Sequence, residues 1–360
     1  MVKVRSTAVF VAIVTAIAGG GLIFATSASA SGPAIVTDSW QVAKSVQSPN
    51  FPEFTAVTAA SATSAWAFES AGTKESAYEL AGGTWRSESF PGKANETVLT
   101  ATSSSSSNVL AISTNFGTSH SRILRFNGHS WSTLRTSSHM LGSPLALSST
   151  NAWFFGYAFS APTPALHDNG HSFRASAGSS GLYGASALSA SSIWAYGTKK
   201  VAHWNGHGWT STSVAKQLPK STELCSSRLT GIDAISAHSV FAIGTGGCQD
   251  QLGPFVLLHY NGSSWSRIAL NSNLGAPQAV SGDGDGGLWI PVATGSPVSG
   301  SMEHYSNGKL SSVTLPFSPA HLALFDVAIG QHTTVAFAAG FSRKSFSSST
   351  STAEILRFGA

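Results

Sequence analysis

The sequence predicts an all-β fold, a ring of seven repeated four-stranded sheets, and three observations predict it. A short phrase recurs along the chain: Leu257-Leu-His-Tyr-Asn-Gly-Ser-Ser-Trp265, Ile123-Leu-Arg-Phe-Asn-Gly-His-Ser-Trp131 and Val201-Ala-His-Trp-Asn-Gly-His-Gly-Trp209. Repetition near this period marks a stacked or circular array, because one unit cannot bury its own apolar face. Composition agrees: charged residues are only 10% of the chain, against ~25% in an average soluble domain. Short apolar runs separated by Ser, Thr, Gly and Asn suit strands and turns, and after Ala30 no segment has the periodicity of a long helix. The third observation is that the last unit lacks its outer strand, while a matching strand stands alone near the start of the chain.

In chain order, the first element is a targeting segment. Lys3 and Arg5 precede an apolar stretch from Ala8 to Ala25, which ends at Ala28-Ser-Ala30. A basic start, an apolar middle and a small-residue exit compose a secretory signal peptide, with cleavage expected after Ala30. An uncleaved anchor is the alternative, since the stretch is close to the ~20 residues that cross a bilayer. Residues 1–30 are thus read as signal and 31–360 as one repeat domain, secreted or kept at the cell surface.

Each unit then carries two landmarks. The first is a Ser-rich turn running into an apolar strand: Ser61 to Trp66, Ser148 to Trp153, Ser189 to Trp194 and Ser236 to Phe241. Weaker copies lie at Ser107 to Leu110, Asp285 to Trp289 and Thr334 to Phe337, making seven. The second is an Asn-Gly turn and a following aromatic, with landmarks at Trp85, Trp131, Phe173, Trp209, Trp265 and Leu310, spaced 46, 42, 36, 56 and 45 residues apart. Asn-Gly between strands signals a type I′ hairpin, which needs positive φ at both central residues.

The last unit stops at Ile355-Leu-Arg-Phe-Gly359 without its Trp strand, and Asp38-Ser-Trp40 supplies such a strand with no unit before it. Pairing the N- and C-terminal strands in one sheet closes a seven-bladed β-propeller and removes open sheet edges.

The chain resembles the seven-bladed β-propellers of secreted bacterial proteins, its hairpins being similar to relaxed Asp-box and kelch repeats over residues 35–360. The Asp-box pattern places Asp two residues before Gly, whereas these turns read Asn-Gly. The resemblance therefore implies the fold and carries no sialidase or oxidase assignment.

With strands lettered A (inner) to D (outer), the Ser-rich A–B turns and the Asn-Gly C–D turns share one face. The B–C and D–A connections share the other and vary in length, from Gly197-Thr-Lys-Lys200 to the run from Gly340 to Thr352. Variable loops on a rigid scaffold are where binding concentrates. Cys225 and Cys248 fall in neighbouring loops on that face, and in an exported chain such a pair is expected to form a disulfide worth ~3 kcal/mol. A free or metal-bound pair is the alternative.

His167, His203, His259 and His304 occupy equivalent C-strand slots, where Glu79, Arg125 and Arg357 stand in other units. Equivalent sites in different blades diverge, so these side chains are expected to bond to the neighbouring blade and to hold no metal. Asp283-Gly-Asp285 lacks the later bidentate Glu of a calcium loop and is read as a turn. Asp233 and Asp326 are acids in inner strands, which need a partner or a solvated channel. Together with Arg228 and the aromatics outside the repeat register, Phe159, Tyr183 and Phe341, they form the candidate ligand-binding set; Phe90 is a further out-of-register aromatic.

The functional expectation is a non-enzymatic binding or scaffold propeller for an extracellular glycan or protein, monomeric and without a cofactor. Lys and Arg form no cluster of the kind nucleic acid requires. The alternative is a polysaccharide hydrolase or lyase, which needs two carboxyl groups ~5–10 Å apart, one with a raised pKa. A kelch-type copper oxidase would need a Cys linked to a Tyr plus histidine ligands, and both cysteines are assigned to the bridge.

Overall fold

The computed structural model describes residues 39–221, 226–246, 254–270, 274–294, 299–318, 321–344 and 350–359. The first strand, β1 (Gln41–Gln47), leaves its sequence neighbours and joins the end of the chain. Blade 1 holds β2 (Glu53–Ser61), β3 (Ser64–Ala71), β4 (Lys74–Ala81) and β5 (Thr84–Glu88). Blade 2 follows with β6 (Thr97–Ser105), β7 (Asn108–Asn115), β8 (His120–Phe126) and β9 (Trp131–Ser137). Blade 3 has β10 (Leu141–Ser148), β11 (Asn151–Gly156), β12 (Leu166–Asp168) and β13 (Phe173–Ala175). Blade 4 has β14 (Gly184–Ser189), β15 (Ser192–Tyr196), β16 (Lys200–Trp204) and β17 (Trp209–Ser213). Blade 5 has β18 (Arg228–Ser236), β19 (Ser239–Thr245), β20 (Phe255–Tyr260) and β21 (Trp265–Arg267).

In blade 6 the inner strand is split into β22 (Ala276–Pro277) and β23 (Ser281–Gly282), ahead of β24 (Leu288–Thr294), β25 (Ser299–Ser306) and β26 (Lys309–Ser312). The expectation of seven uniform four-stranded sheets needs this amendment. Pro291 in β24 turns its carbonyl inward to accept from the Gln278 amide at 2.9 Å, and proline has no N–H to return. The register then shifts by one residue, from Pro277↔Val292 to Ser281↔Trp289.

Blade 7 joins the two ends of the chain. It comprises β27 (Leu322–Ile329), β28 (Ala336–Ser342), β29 (Thr352–Phe358) and β1, in hydrogen-bonded order β1-β29-β28-β27. The seam is antiparallel, from Gln41↔Arg357 to Gln47↔Thr352. Trp40 is 2% exposed and seats its ring 5.3 Å from Trp289 and 5.7 Å from Phe358.

Second strands such as β7 and β19 are buried along nearly their whole length, whereas outer strands such as β9 and β17 are mostly exposed. The reason is that each blade is covered on both faces by its neighbours. Among the described residues seven apolar clusters appear, each spanning two adjacent blades: Phe54 with Phe337 at blades 1 and 7, Trp66 with Phe126 at 1 and 2, and so around to Trp289 with Leu356 at 6 and 7. The ring has no single centre of packing; its core is the set of interfaces.

Inner strands are further stitched at recurrent bulges. Bulge residue Thr55 donates to the Val98 carbonyl at 2.6 Å, bulge residue Thr230 to the Pro277 carbonyl at 3.5 Å, and Thr100, beside the bulge in β6, to the Gly142 carbonyl at 2.8 Å, in each case reaching the next blade.

The C–D turns differ from expectation. Gly82-Gly83 and Asn307-Gly308 have positive φ at both residues, as a two-residue I′ hairpin requires. The four turns at Asn127, Asn169, Asn205 and Asn261 are instead four-residue loops in which only the glycine has positive φ. Each Asn Oδ1 accepts from the amides two and three residues on, at 2.9–3.1 Å. Glycine is also required by contact: a Cβ at Gly170 would stand 2.7 Å from Thr150, and one at Gly128 would stand 2.8 Å from Ser107. C–D turns thus rest on A–B turns, and both lie on one face.

Candidate binding surface on the loop face

On the opposite face, the structure brings together part of the candidate set and adds two residues to it. In the B–C loop of blade 3, the Ser160 amide and hydroxyl both donate to the Tyr157 carbonyl, at 3.1 and 2.9 Å. That tight turn pushes Phe159 outward, leaving it 65% exposed. In blade 2 the Asn115 side chain accepts from the Thr118 amide at 3.1 Å and presents Phe116 at the loop tip, 50% exposed. Phe116 lies 6.1 Å from Tyr157, Tyr157 5.5 Å from Phe159, and the Arg228 guanidinium 4.7 Å from the Phe159 ring centre.

Arg228 opens β18 of blade 5, so the ladder spans loops of three blades. Burial raises the Tyr157 phenol and pushes that of Tyr196 up to about 12, and the positive charge of Arg228 opposes both shifts. Both phenols therefore stay protonated at neutral pH and can donate. Tyr183 lies below this surface, buried, with its hydroxyl accepting from Thr198 at 3.4 Å. The ladder offers flat apolar faces, the Tyr157 hydroxyl and one delocalised cation, the groups that recognise a sugar ring or an extended peptide.

Phe341 stands elsewhere, on β28, 5.8 Å from Phe325 and under the Arg343 guanidinium at 4.8 Å. Phe90 packs inward at 5.3 Å from Trp131. Cys225 and Cys248 lie outside the described residues.

The inner-strand acids are bound within the protein. Asp233 accepts from the Ser186 hydroxyl at 2.7 Å and the Gly282 amide at 2.6 Å, linking blades 4, 5 and 6. Asp326 accepts from the Val57 and Val327 amides at 3.0 and 2.9 Å, linking blades 7 and 1. Burial raises both carboxyls, that of Asp326 to about 7, and the hydrogen bonds oppose the shift. Asp233 also lines a cavity of about 1090 Å³ at the tight-turn mouth, whose wall is largely the turns at 282–286 and 329–335.

The histidines bond within their own blade, not to the neighbouring one. Each ring stacks on the aromatic beside it on strand B: His167 on Trp153, His203 on Trp194, His259 on Phe241 and His304 on Trp289, at 4.1–4.6 Å. Each Nε2 then reaches the A–B turn region, at Asn151, Ser192, Ser239 or Asp283, at 2.8–3.2 Å. The correction follows from geometry: the C-strand slot faces the turn that closes its own sheet. Asp283 Oδ1 accepts from the Asp285 and Gly287 amides, both at 2.8 Å, so its oxygens close a turn. Among the described residues no group of three or more His, Cys, Asp or Glu could hold a metal ion.

A pair of carboxylates does occur, where the sequence did not suggest it. Glu75 and Glu96 both accept from the Ser113 hydroxyl, at 3.0 and 2.8 Å, and Arg122 donates from Nε to Glu96 at 2.7 Å. Burial pushes Glu75 up to about 7. Glu75 is 7% exposed and Arg122 4%, so this cluster locks blades 1 and 2 and offers no entry to a substrate. Only the strand register unites these residues, which stand far apart in sequence; Phe116, by contrast, satisfies the out-of-register criterion that selects Phe159.

The ring of seven sheets and its closure define a seven-bladed β-propeller. No family model matches the chain, and no curated protein matches it. Solved structures do. A structure described as YCF48 bound to D1 peptide shares 12% identity, with a TM-score of 0.60 over 91% of this chain and 99% of that one. A streptogramin B lyase shares 10%, with a TM-score of 0.61 over 88% and 97%. The extracellular domain of a putative hybrid two-component system from B. thetaiotaomicron shares 8%, with a TM-score of 0.56 over 84% of this chain and 38% of that one. These likenesses show the fold.

Proposed function

We propose that the chain is an exported binding propeller that takes a glycan or protein segment on its loop face. The observation that carries this reading is the ladder Phe116–Tyr157–Phe159–Arg228, exposed at both phenylalanines and contributed by three separate loops. A solved propeller described as bound to a peptide supports the capacity of such a ring to hold an extended ligand. The described acids favour binding over hydrolysis, because Glu75 and Glu96 are sealed between blades and Asp233 and Asp326 are occupied by neighbouring strands. The reading includes removal of residues 1–30, a Cys225–Cys248 bridge and a monomeric state.

The test is a glycan and cell-wall polymer array, with an extracellular peptide library beside it, probed with the wild type and with Phe159→Ala and Arg228→Gln. Each substitution should weaken the captured ligand about ten-fold, or ~1.4 kcal/mol. Unfolding midpoints should stay fixed, since an exposed cation–π contact contributes only ~0.5–1 kcal/mol. Silence on every surface, or capture that neither substitution weakens, would refute the reading. N-terminal sequencing and non-reducing mass analysis of the exported chain check the cleavage and the bridge.

A further inference from the structure

A second cavity on the loop face, away from the aromatic ladder, sits over the closure sheet. Its volume is about 710 Å³, within the ~300–1,000 Å³ of small-ligand sites. It is walled by both ends of the chain: Ser45 and Gln47 come from β1, Ser342 from β28, and Thr352 and Glu354 from β29. Its rim is fastened to fixed elements, since the Arg343 amide donates to the His321 carbonyl at 2.8 Å and the Ser351 hydroxyl to the Pro52 carbonyl at 2.9 Å.

The lining has an unusual chemistry. Hydroxyl and amide side chains dominate it, joined by one apolar ring, Phe317, and by two adjacent cations, Arg343 and Lys344. At the base, Glu354 is 2% exposed, its oxygens holding the Ser45 and Ser342 hydroxyls at 2.5 and 2.8 Å. Those bonds fix the two serines with their lone pairs available to a ligand.

The Arg343 guanidinium lies 4.8 Å from the Phe341 ring centre and 5.8 Å from that of Phe51, its charge also acts on the Glu53 carboxyl, and its buried Nε has no hydrogen-bond partner. A guanidinium takes a carboxylate in bidentate fashion through its in-plane N–H groups while its face lies against an aromatic ring. Phe51 is 49% exposed and sits at φ 51°, a conformation that a bulky residue rarely adopts, immediately before Pro52. Strain of this kind gathers at ligand clamps.

We infer that this seam cavity is a binding site for a carboxylate-bearing sugar unit. Arg343 and Lys344 take the carboxylate, Ser45 and Ser342, whose protons Glu354 holds, accept from ring hydroxyls, and Phe317 takes an apolar ring face. The inference gives the loop-face reading a chemical class but stands on residues the ladder does not share. Because the cavity is walled by β1 and β29 together, its ligand also clasps the ring closed and should raise the unfolding midpoint with concentration.

The experiment titrates the full chain calorimetrically with a glucuronic-acid disaccharide, the matching neutral glucose disaccharide and inorganic phosphate, following the thermal midpoint in parallel. The uronate is expected to bind at one site with a rising midpoint, the neutral sugar and phosphate each at least ten-fold more weakly. Arg343→Gln should weaken the uronate ten-fold or more, and Arg343→Lys should recover part of that loss. Phe159→Ala should leave uronate binding unchanged, which separates failure of this site from failure of the ladder. Equal binding of acidic and neutral sugars, phosphate as tight as the uronate, no saturable uronate binding, or indifference to Arg343→Gln would each overturn the inference.

Discussion

Trp40→Ala tests the closure on which the ring depends. Trp40 is 2% exposed and contacts Trp289 edge-on at 5.3 Å and Phe358 at 5.7 Å, one partner in blade 6 and one on the last strand. Truncating a buried Trp costs ~3–5 kcal/mol in lost contacts and residual cavity. Against this, the Trp40 Nε1 is buried without a partner, and removing an orphan donor returns ~1 kcal/mol. The net loss should be about 2–4 kcal/mol in equilibrium denaturation. Trp40→Phe, which keeps a ring and removes the orphan N–H, should stay within ~1 kcal/mol of wild type. Hydrogen exchange read by mass spectrometry supplies the spatial half of the assay. Trp40→Ala should accelerate exchange in β1 and β29 while β15 and β16, across the ring, remain protected. Trp131→Ala, the equivalent substitution in blade 2, whose ring packs between blades 1 and 2, should cost a similar amount without that selective opening. A loss below ~1 kcal/mol for Trp40→Ala, or unchanged exchange along β29, would refute the reasoning.

The remaining predictions concern polar groups. Asp326 has a carboxyl pKa raised to about 7 in the folded chain, so its stabilising contribution is fully present below pH ~4 and is lost as pH rises toward 7, at up to ~1.4 kcal/mol per pH unit. Asp326→Asn should remove that slope from urea titrations across pH 4–7, while costing ~1–3 kcal/mol at pH 4, because its amide turns a donor toward one of the two backbone N–H groups. His203 behaves in the opposite sense: burial lowers its pKa, so its contribution is present above pH ~6.5 and is lost on acidification. His203→Ala should cost ~1–2 kcal/mol at pH 8 through the lost stack on Trp194 and the bond to Ser192, and less at pH 5, as measured by denaturant midpoints. Asn261→Ala should cost ~0.5–1.5 kcal/mol, since two amides lose the Oδ1 that joins them and water replaces it on an exposed turn.

Repetition made the fold legible. A tryptophan at the start of five of the seven outer strands, a small-residue B strand and an Asn-Gly turn recur with enough regularity that the missing strand at one end and the surplus strand at the other could be matched by sequence alone. The departures have local causes that a repeat count does not reveal. Pro291 divides the inner strand of blade 6 by withholding a single donor. The Asn side chains of four hairpins bond their own loop, which selects a four-residue turn over I′. The histidine partners were misplaced because periodicity identifies a slot without saying which neighbour the slot faces. The sequence also showed that Phe159 lies outside the repeat register and offered Arg228 as a candidate, but their 4.7 Å contact depends on the curvature of the ring, which brings a loop of blade 3 to the first residue of blade 5.

The contrast between the faces gives a physical reason to place binding on one of them. On the tight-turn face the polar groups that recur with the repeat are satisfied by the repeat itself. Asn Oδ1 atoms hold their own loop amides, histidine Nε2 atoms hold the A–B turns, and Gly128, Gly170, Gly206 and Gly262 lie against side chains of the A–B turns. The cavity there is walled by this occupied backbone. On the loop face, several residues that occur once in the chain are exposed: Phe116, Phe159 and Phe51 are about half exposed or more, two arginines lie against exposed rings, and Arg343 keeps a buried donor without an acceptor. An interaction needed in every blade has to be self-contained, because it must close the same sheet seven times. A residue present in one blade has no such duty, so an exposed ring or a buried donor without an acceptor there costs stability locally, and a ligand on the proposed surface would offset that cost.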